Sequence, residues 1–415
     1  MPIRKIRVTN FKSFKELEVE LGKFNVLIGA NASGKSNFVQ IFKFLRDITD
    51  FGLDNAISMQ GGVEYLRNVK IGRSEIFSIN VVSDKKFRLS RKINEDRIGV
   101  ETYKMIYEFA IRFKSRGTGY EIVKDKLIQK CIFNKLEKRG KEIKVKEKLG
   151  KGEIILSHAN GKVNISLKKP EKVPINKDDM YPPFLIEKRL PSNRLLLETI
   201  FFMPLLEMTF SEISLYDFDP KLPKKATPIT GKAELEEDGA NLSIVLKNIL
   251  EHKDEKRKLF NLVKDILPFI DDLGVEKFAD KSLLFKLREI YSKGQYLPAS
   301  LISDGTINVT ALIVALYFEK KPLTIIEEPG RNIHPHLISK VMGMMKDASR
   351  KKQIIVTTHN PEIIKYACLD DILLVSRDKD GFSTVSRPGD KEEVKIFLKN
   401  EIGIEELYVQ NLLGV

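Results

Sequence analysis

Cysteine is nearly absent from this chain. Cys131 and Cys368 are the only two among 415 residues, too few for a disulfide framework or a cysteine-ligated zinc site, and a count that suits a reducing cytoplasm. Both are read as buried bystanders. Long apolar runs are missing as well: the longest nearly uncharged one, from Val309 to Phe318, is roughly half of what a bilayer crossing needs, and the opening "MPIRKIRVTN" lacks the apolar core of a leader. The expectation is a soluble, unexported, cytoplasmic protein with no membrane partner. There is no internal repeat, no low-complexity tract, and no zinc-finger, helix-turn-helix or RNA-module signature. Nor is there a sustained heptad pattern of the kind a long coiled-coil arm requires.

What the chain does have is length and positive charge. Its 415 residues exceed one compact unit and predict two or three domains. The net charge is +14, and residues 112–189 alone, with 21 Lys plus Arg against 10 Asp plus Glu, supply +11 of it. Such asymmetry is the footprint of contact with a phosphate backbone. The same stretch, "KEIKVKEKLGKGEIILSHANGKVNISLKK", also alternates charged and apolar residues at period two, as a solvated β-meander does. With no base-reading signature, DNA contact through 112–189 would be to backbone.

The sharpest motif lies near the start. "FNVLIGANASGKSNFVQIFKFL" reads as a strand over Phe24–Ile28, a glycine-rich loop, and a helix with Phe38, Ile41, Phe42 and Leu45 at helical spacing. Its centre matches G-x-x-x-x-G-K-[ST], a loop whose backbone curls until several N–H groups face phosphate oxygens, with the positive end of the next helix behind them. Gly29, Asn31, Ala32, Ser33, Gly34, Lys35, Ser36 and Asn37 form the expected nucleotide-binding set. Lys35 would reach the β- and γ-phosphates, and the Ser36 hydroxyl would hold Mg²⁺.

The last third carries the partners such a loop needs. "KPLTIIEEPGRNIHPHL" predicts a short buried strand, Leu323–Ile326, ending in Glu327 and Glu328. An acid there can bind Mg²⁺, directly or through water, and its neighbour can polarise the water that attacks the γ-phosphate. "KKQIIVTTHNPEII" predicts another strand, Ile354–Val356, with His359 just beyond it, so three strand ends meet where α/β proteins put ligands. His359 is assigned to the γ-phosphate. "SDGT", residues 303–306, opens an apolar helical run: Ser303 or Asp304 can cap it, and Gly305 removes a side chain where something must come close.

The order of P-loop, small polar helix start, two-acid strand 24 residues after Ser303, and histidine 31 residues after Glu328 resembles the head domain of ABC-type ATPases, with its signature, Walker B and switch histidine. In that family the signature closes on the γ-phosphate held by the P-loop of a second copy. The resemblance therefore implies that Ser303 and Gly305 act in trans, in an ATP-dependent homodimer or higher homo-oligomer that uses ATP and Mg²⁺. Within the family, "IRVTNFKSFKELEVELGKFNVLIGANASGKSN", "SDGT", "EEPGRNIHP" and "LEEDGANLSIVLKNIL" resemble the RecF, SMC and OLD-like branch over roughly residues 1–50 and 235–376. Glu327 stands where most members have Asp. Gln60 is a candidate for the Q-loop.

The fold expected is α/β: a two-lobed ABC-type P-loop ATPase head with a strand-rich basic insert and a helical lobe. The core is assigned to 1–95 and 291–415, the insert to 96–190 and the helical lobe to 191–290, where "LLLETIFFMPLLEMTF", "ANLSIVLKNILEHKDEKRKLFNLVKDIL" and "LLFKLREIYS" look helical. The proline-bearing stretch 168–184 is the predicted linker. Asn176–Asp179, "NKDD", mimics a guanine-reading motif but precedes the acidic strand and follows no buried strand, so ATP is the nucleotide. His334 and His336 in "HPH" fall in the region after Walker B, at an expected dimer face, and are not assigned to a metal. Only 56 residues follow His359, which leaves no room for the Toprim nuclease of OLD-like relatives.

Three functions follow. The first is an ATP-gated dimer acting on DNA in repair or anti-phage defence. The second is an ATPase scaffold or regulator of a separate nuclease or toxin effector. The third, a transporter motor, is disfavoured by "SDGT" and by the lack of a membrane span.

Overall fold

A computed structural model describes residues 2–114, 117, 119–139, 142–181, 190–199, 204–278, 281–400 and 402–413. The chain divides into two compact units: Met1–Gly22, Ser36–Glu212 and Ser376–Val385 form the first, and Lys23–Lys35, Ile213–Val375 and Ser386–Val415 the second.

The first unit is built on an eight-stranded antiparallel sheet. Its order is Phe14–Glu20, Lys5–Phe11, Phe77–Ser83, Asp96–Phe113, Tyr120–Arg139, Glu142–Ala159 and Lys162–Lys168, with Phe87–Ile93 also pairing Asp96–Phe113. Strand-rich character across 75–170 was legible from the period-two alternation, because one face of such strands is buried and the other wet. In Phe77–Ser83 the odd-numbered positions from Phe77 to Ser83 are all buried. The helix Lys35–Phe51 gives this unit Phe38, Phe42 and Phe44, all fully buried. Phe44 joins Phe11, Phe77 and Phe109 in a chain of rings with centroids 5.8 to 6.2 Å apart, a tilted packing that aromatic quadrupoles favour.

The basic stretch lies in this sheet. Lys144, Lys146, Lys148 and Lys151 are exposed, and Lys144 pairs with Glu142 at 3.0 Å. The predicted linker partly falls outside the described residues, at 182–184. Its described part is packed rather than loose, since Val173 and Ile175 are fully buried. Within it "NKDD" is a helix cap: the Asn176 N–H donates to Asp179 Oδ2 at 2.7 Å at the start of the turn Lys177–Met180. Gln60 is buried and its amide donates to Gln40 Oε1 at 3.1 Å.

The second unit holds a parallel sheet ordered Ile213–Tyr216, Leu323–Glu327, Gln353–Thr358, Phe24–Ile28 and Ile372–Arg377. Parallel strands covered on both faces need unbroken apolar runs. All five residues of Phe24–Ile28 and all six of Gln353–Thr358 are buried accordingly. The helix Asp304–Tyr317 is buried on every side from Thr306 to Leu316, as its all-round apolar sequence requires. Pro335–Ala348, Leu242–Glu251 and Lys253–Ile266 are further helices of this unit.

Two expectations are corrected here. "LLFKLREIYS" contributes the strand Ser282–Glu289, paired antiparallel with Ile270–Phe278, rather than a helix. Leu283, Phe285 and Leu287 point inward at period two, and that pairing overrides a run of apolar residues equally readable at helical period. Cys131 is buried as expected, but Cys368 is exposed, with the Lys346 ammonium 2.7 Å from its sulfur. Among the described residues no helix is long and apolar enough to cross a membrane.

Candidate functional site

The strand Phe24–Ile28 ends where the glycine-rich loop begins. A Cβ on Gly29 would lie 2.3 Å from the Val375 carbonyl oxygen and 2.7 Å from Ser33 Oγ, so the first glycine of the motif is demanded by the neighbouring strand end. Ala32 and Gly34 have φ of 61° and 118°, left-handed values that curl the loop back on itself. The Ser33 N–H donates to Ala30 O at 3.2 Å inside that curl. Lys35 closes it: its ammonium donates to Gly29 O at 2.7 Å and Ala30 O at 3.1 Å. Burial pushes the Lys35 pKa below the ordinary lysine value, against the carboxylates of Glu328 and Glu327. Ser36 and Asn37 follow directly in the first turn of the helix Lys35–Phe51, and Asn37 Nδ2 donates to Ser13 Oγ at 2.8 Å.

Two strand ends of the same sheet deliver the acids and the histidine. Glu327 is the last residue of its strand and pairs in register with Thr357. Glu328 then turns out with φ 44° while its N–H donates to Thr357 O at 2.8 Å, a strained position of the sort that recurs at functional sites. Its carboxylate accepts from Thr358 Oγ1 at 3.0 Å and from the His359 backbone N–H at 3.1 Å, and His359 Nδ1 lies 2.6 Å from Oε1. The acid is only 19% exposed and the imidazole 56%. A carboxylate oriented by three donors, beside a histidine whose other ring nitrogen is free of this contact, can take a proton from water next to an anionic ligand.

The start of the helix Asp304–Tyr317 has a different environment. Ser303 Oγ accepts from the Thr306 N–H at 3.2 Å, so Ser303 is the cap. Gly305 does leave room for a close neighbour, and that neighbour is the chain itself. A Cβ there would sit 2.5 Å from the Asn332 carbonyl oxygen. Asn308 Nδ2 donates to Arg331 O at 2.6 Å beside it, and Asp304 Oδ1 meets the Lys224 ammonium at 2.5 Å. The helix start is thus braced on the turn 328–333 that follows the two acids.

The second unit therefore brings together Gly29, Lys35, Glu327, Glu328 and His359 at the carboxyl ends of adjoining parallel strands. Ser303 and Gly305 contact Thr306 and Asn332 instead. Thr358, Asn308 and Asn332 escaped the sequence reading; only Thr358, next to the singled-out histidine, carried a signal. His334 and His336 are both exposed, with Nδ1 atoms 2.7 Å apart. Among the described residues no group of three or more His, Cys, Asp or Glu could hold a metal ion.

Residues 24–120 and 209–365, more than half of the chain, match the family model described as "AAA domain, putative AbiEii toxin, Type IV TA system". The chain belongs to this family. Its matched segments contain the P-loop, both acids and His359. Among curated proteins, the chromosome partition protein Smc of Methanocaldococcus jannaschii is 29% identical over 99 residues, which is 24% of this chain and 8% of that protein. An uncharacterized protein of the same organism is 25% identical over 91 residues, 21% of this chain and 24% of that one. The chain thus spans a small part of the length of these relatives.

Solved structures share the fold more widely. An Smc head bound to the C-terminal winged-helix domain of ScpA matches with TM-score 0.50 and 14% identity over 92% of this chain and 97% of that one. The Smc head with an extended coiled coil, bound to the C-terminal domain of ScpA derived from Pyrococcus furiosus, matches with TM-score 0.50 and 15% identity over 96% and 99%. The fold of this AAA-domain protein is that of an ABC-type ATPase head of the SMC and RecF-like branch.

Proposed function

We propose that this chain is a Mg²⁺-dependent ATPase that works as an ATP-gated homodimer. The observation that carries the reading is the meeting of the Lys35 loop with the Glu328–His359 pair at the ends of neighbouring parallel strands. The donor set fits Mg-ATP: an ammonium and curled backbone for phosphates, and a hydroxyl and a carboxylate as hard oxygen ligands. Lys35 would bind the β- and γ-phosphates, with Asn31, Ala32, Ser33, Gly34 and Asn37 lining the loop around them. Ser36 and Glu327 would hold the metal, which supplies charge neutralisation on the phosphates. Glu328 would act as general base on the attacking water, and His359 would contact the γ-phosphate while its ring stays oriented by Glu328.

Ser303 and Gly305 would complete the site of a second copy. Ser303 is exposed at the N-terminus of the helix it caps, and a helix N-terminus suits an anion. Gly305 then has two reasons to be glycine, of which the contact with Asn332 is the one within the chain. DNA is the proposed macromolecular ligand, through exposed lysines of the basic sheet. A second reading, an ATPase regulating a separate effector, is favoured by the toxin–antitoxin description of the family.

ATP turnover with and without duplex, single-stranded and nicked DNA tests the choice. DNA stimulation supports the first reading. An ATPase indifferent to all three supports the second. Absence of ATP binding by the wild-type chain would refute both.

A further inference from the structure

Asn308 is a polar side chain, only 3% exposed, between Ile307 and Val309 in the helix Asp304–Tyr317. Nδ2 donates to Arg331 O at 2.6 Å, whereas the buried Oδ1 has no partner among the described residues. Burying an amide with half its capacity unused is costly, so what the one bond holds matters. It holds the turn 328–333. Within that turn the Arg331 N–H donates to Glu328 O at 3.0 Å and the Ile333 N–H to Gly330 O at 3.2 Å. Two of its non-glycine residues have positive φ, Glu328 at 44° and Asn332 at 60°. Such conformations persist where the surroundings over-determine them.

The structure assigns Asn308 as a positioning residue for Glu328; the inference rests on the ATPase reading above, in which Glu328 is the base. The near end of the turn is held by the sheet, through the Glu328 N–H on Thr357 O at 2.8 Å and the carboxylate contacts with Thr358 and His359. Its middle is packed, since a Cβ on Gly330 would lie 2.8 Å from Ile363 Cδ1 and 3.2 Å from Ile338 Cδ1. The far end lies outside the sheet. There Gly305 backs the Asn332 carbonyl, and the half-exposed Arg331 guanidinium reaches Asp217 at 3.1 Å and Phe218 O at 3.4 Å. An exposed ion pair restrains weakly, which leaves Asn308 as the buried hydrogen bond on this end. Without it the backbone at 331–332 can relax toward ordinary φ, and the Arg331–Glu328 bond passes the movement to the base. The phosphate loop takes no part in this chain of contacts.

Asn308→Leu removes the donor and the orphaned oxygen together while keeping a side chain of similar reach. Calorimetry should show near wild-type ATP affinity, whereas kcat should fall about ten- to a hundredfold, as a displaced catalytic group produces. Asn308→Asp, alike in shape, cannot donate once ionised at about pH 8 and should show the same split. The decisive readout is a double-mutant cycle. A residue that acts through Glu328 has nothing left to position once the base is gone, so Asn308→Leu should slow the single-turnover rate of Glu328→Gln by less than about twofold. Losses that multiply, or an unchanged kcat in both Asn308 variants, overturn the assignment. So does unfolding of both variants, or ATP affinity that falls in step with kcat, because either makes Asn308 a structural residue only. Failure of the wild-type chain to bind ATP would instead bring down the ATPase reading, and this inference with it.

Discussion

Glu328 and His359 hold each other at two points: the carboxylate accepts the His359 backbone N–H at 3.1 Å and lies 2.6 Å from its Nδ1. The two residues close adjacent strands, so their register fixes the pair before any ligand arrives. As proposed base and γ-phosphate contact, they cannot be varied independently. Glu328→Gln should keep ATP binding and lose turnover by about 10²- to 10⁴-fold, the usual cost of a missing general base. Hydrolysis near the wild-type rate would reassign the base.

Gly305→Ala tests the brace on the turn after the acids. The added methyl would meet the Asn332 carbonyl at 2.5 Å, a backbone atom that no rotamer change can move. Overpacking of this kind costs about 1 to 3 kcal/mol. Thermal unfolding should move down; an unchanged Tm would mean that the turn yields freely.

Lys352 gives a pH signature of folding. Burial lowers its pKa from 10.5 to about 8, with Glu319 opposing and Lys258 adding to the shift, while its ammonium donates to Ala315 O at 3.1 Å and Glu319 O at 2.7 Å. Between those two pH values the unfolded chain binds a proton that the folded chain does not, so this group makes stability rise with pH across that window and adds no slope below it. Lys352→Met should flatten the rise in Tm there. Parallel curves for the two proteins would exclude the linkage.

The basic sheet predicts a salt dependence. Changing Lys144, Lys146, Lys148 and Lys151 to Ala should weaken DNA binding alike on all sequences and reduce the log–log salt slope by about three, at slightly under one for each phosphate no longer neutralised. Lys144 is expected to count least, being already paired with Glu142 at 3.0 Å. A slope that does not change leaves the lysines as the solvated face of a meander.

The motifs were legible because each is local. A P-loop lies within eight residues, and an apolar strand ending in Glu327 and Glu328 announces itself through its own burial pattern. Relations between distant residues were not. Nothing near Gly305 says that the carbonyl of Asn332 will occupy its Cβ position, because that arrangement is created by the packing of elements distant in sequence. Ser282–Glu289 was misread for a related reason: Leu283, Leu284, Phe285 and Leu287 fit either period until the partner strand is known. Cys368 was misjudged from composition, since a cysteine's burial depends on where its turn ends up.

Ser303 decides whether the helix start serves a second chain. It is exposed, so Ser303→Arg can be accommodated by the folded protein, whereas loss of its cap bond alone should cost about 1 kcal/mol of stability. The trans reading predicts that Ser303→Arg binds ATP through its own loop but neither dimerises with ATP nor hydrolyses it, and that Lys35→Ala is also inactive. The direct measurement is ATP turnover of Ser303→Arg titrated with an excess of Lys35→Ala chains. Recovery of part of the wild-type rate, from one composite site pairing an intact loop with an intact signature, is the predicted result. Normal ATP-dependent dimerisation and turnover by Ser303→Arg alone would contradict it.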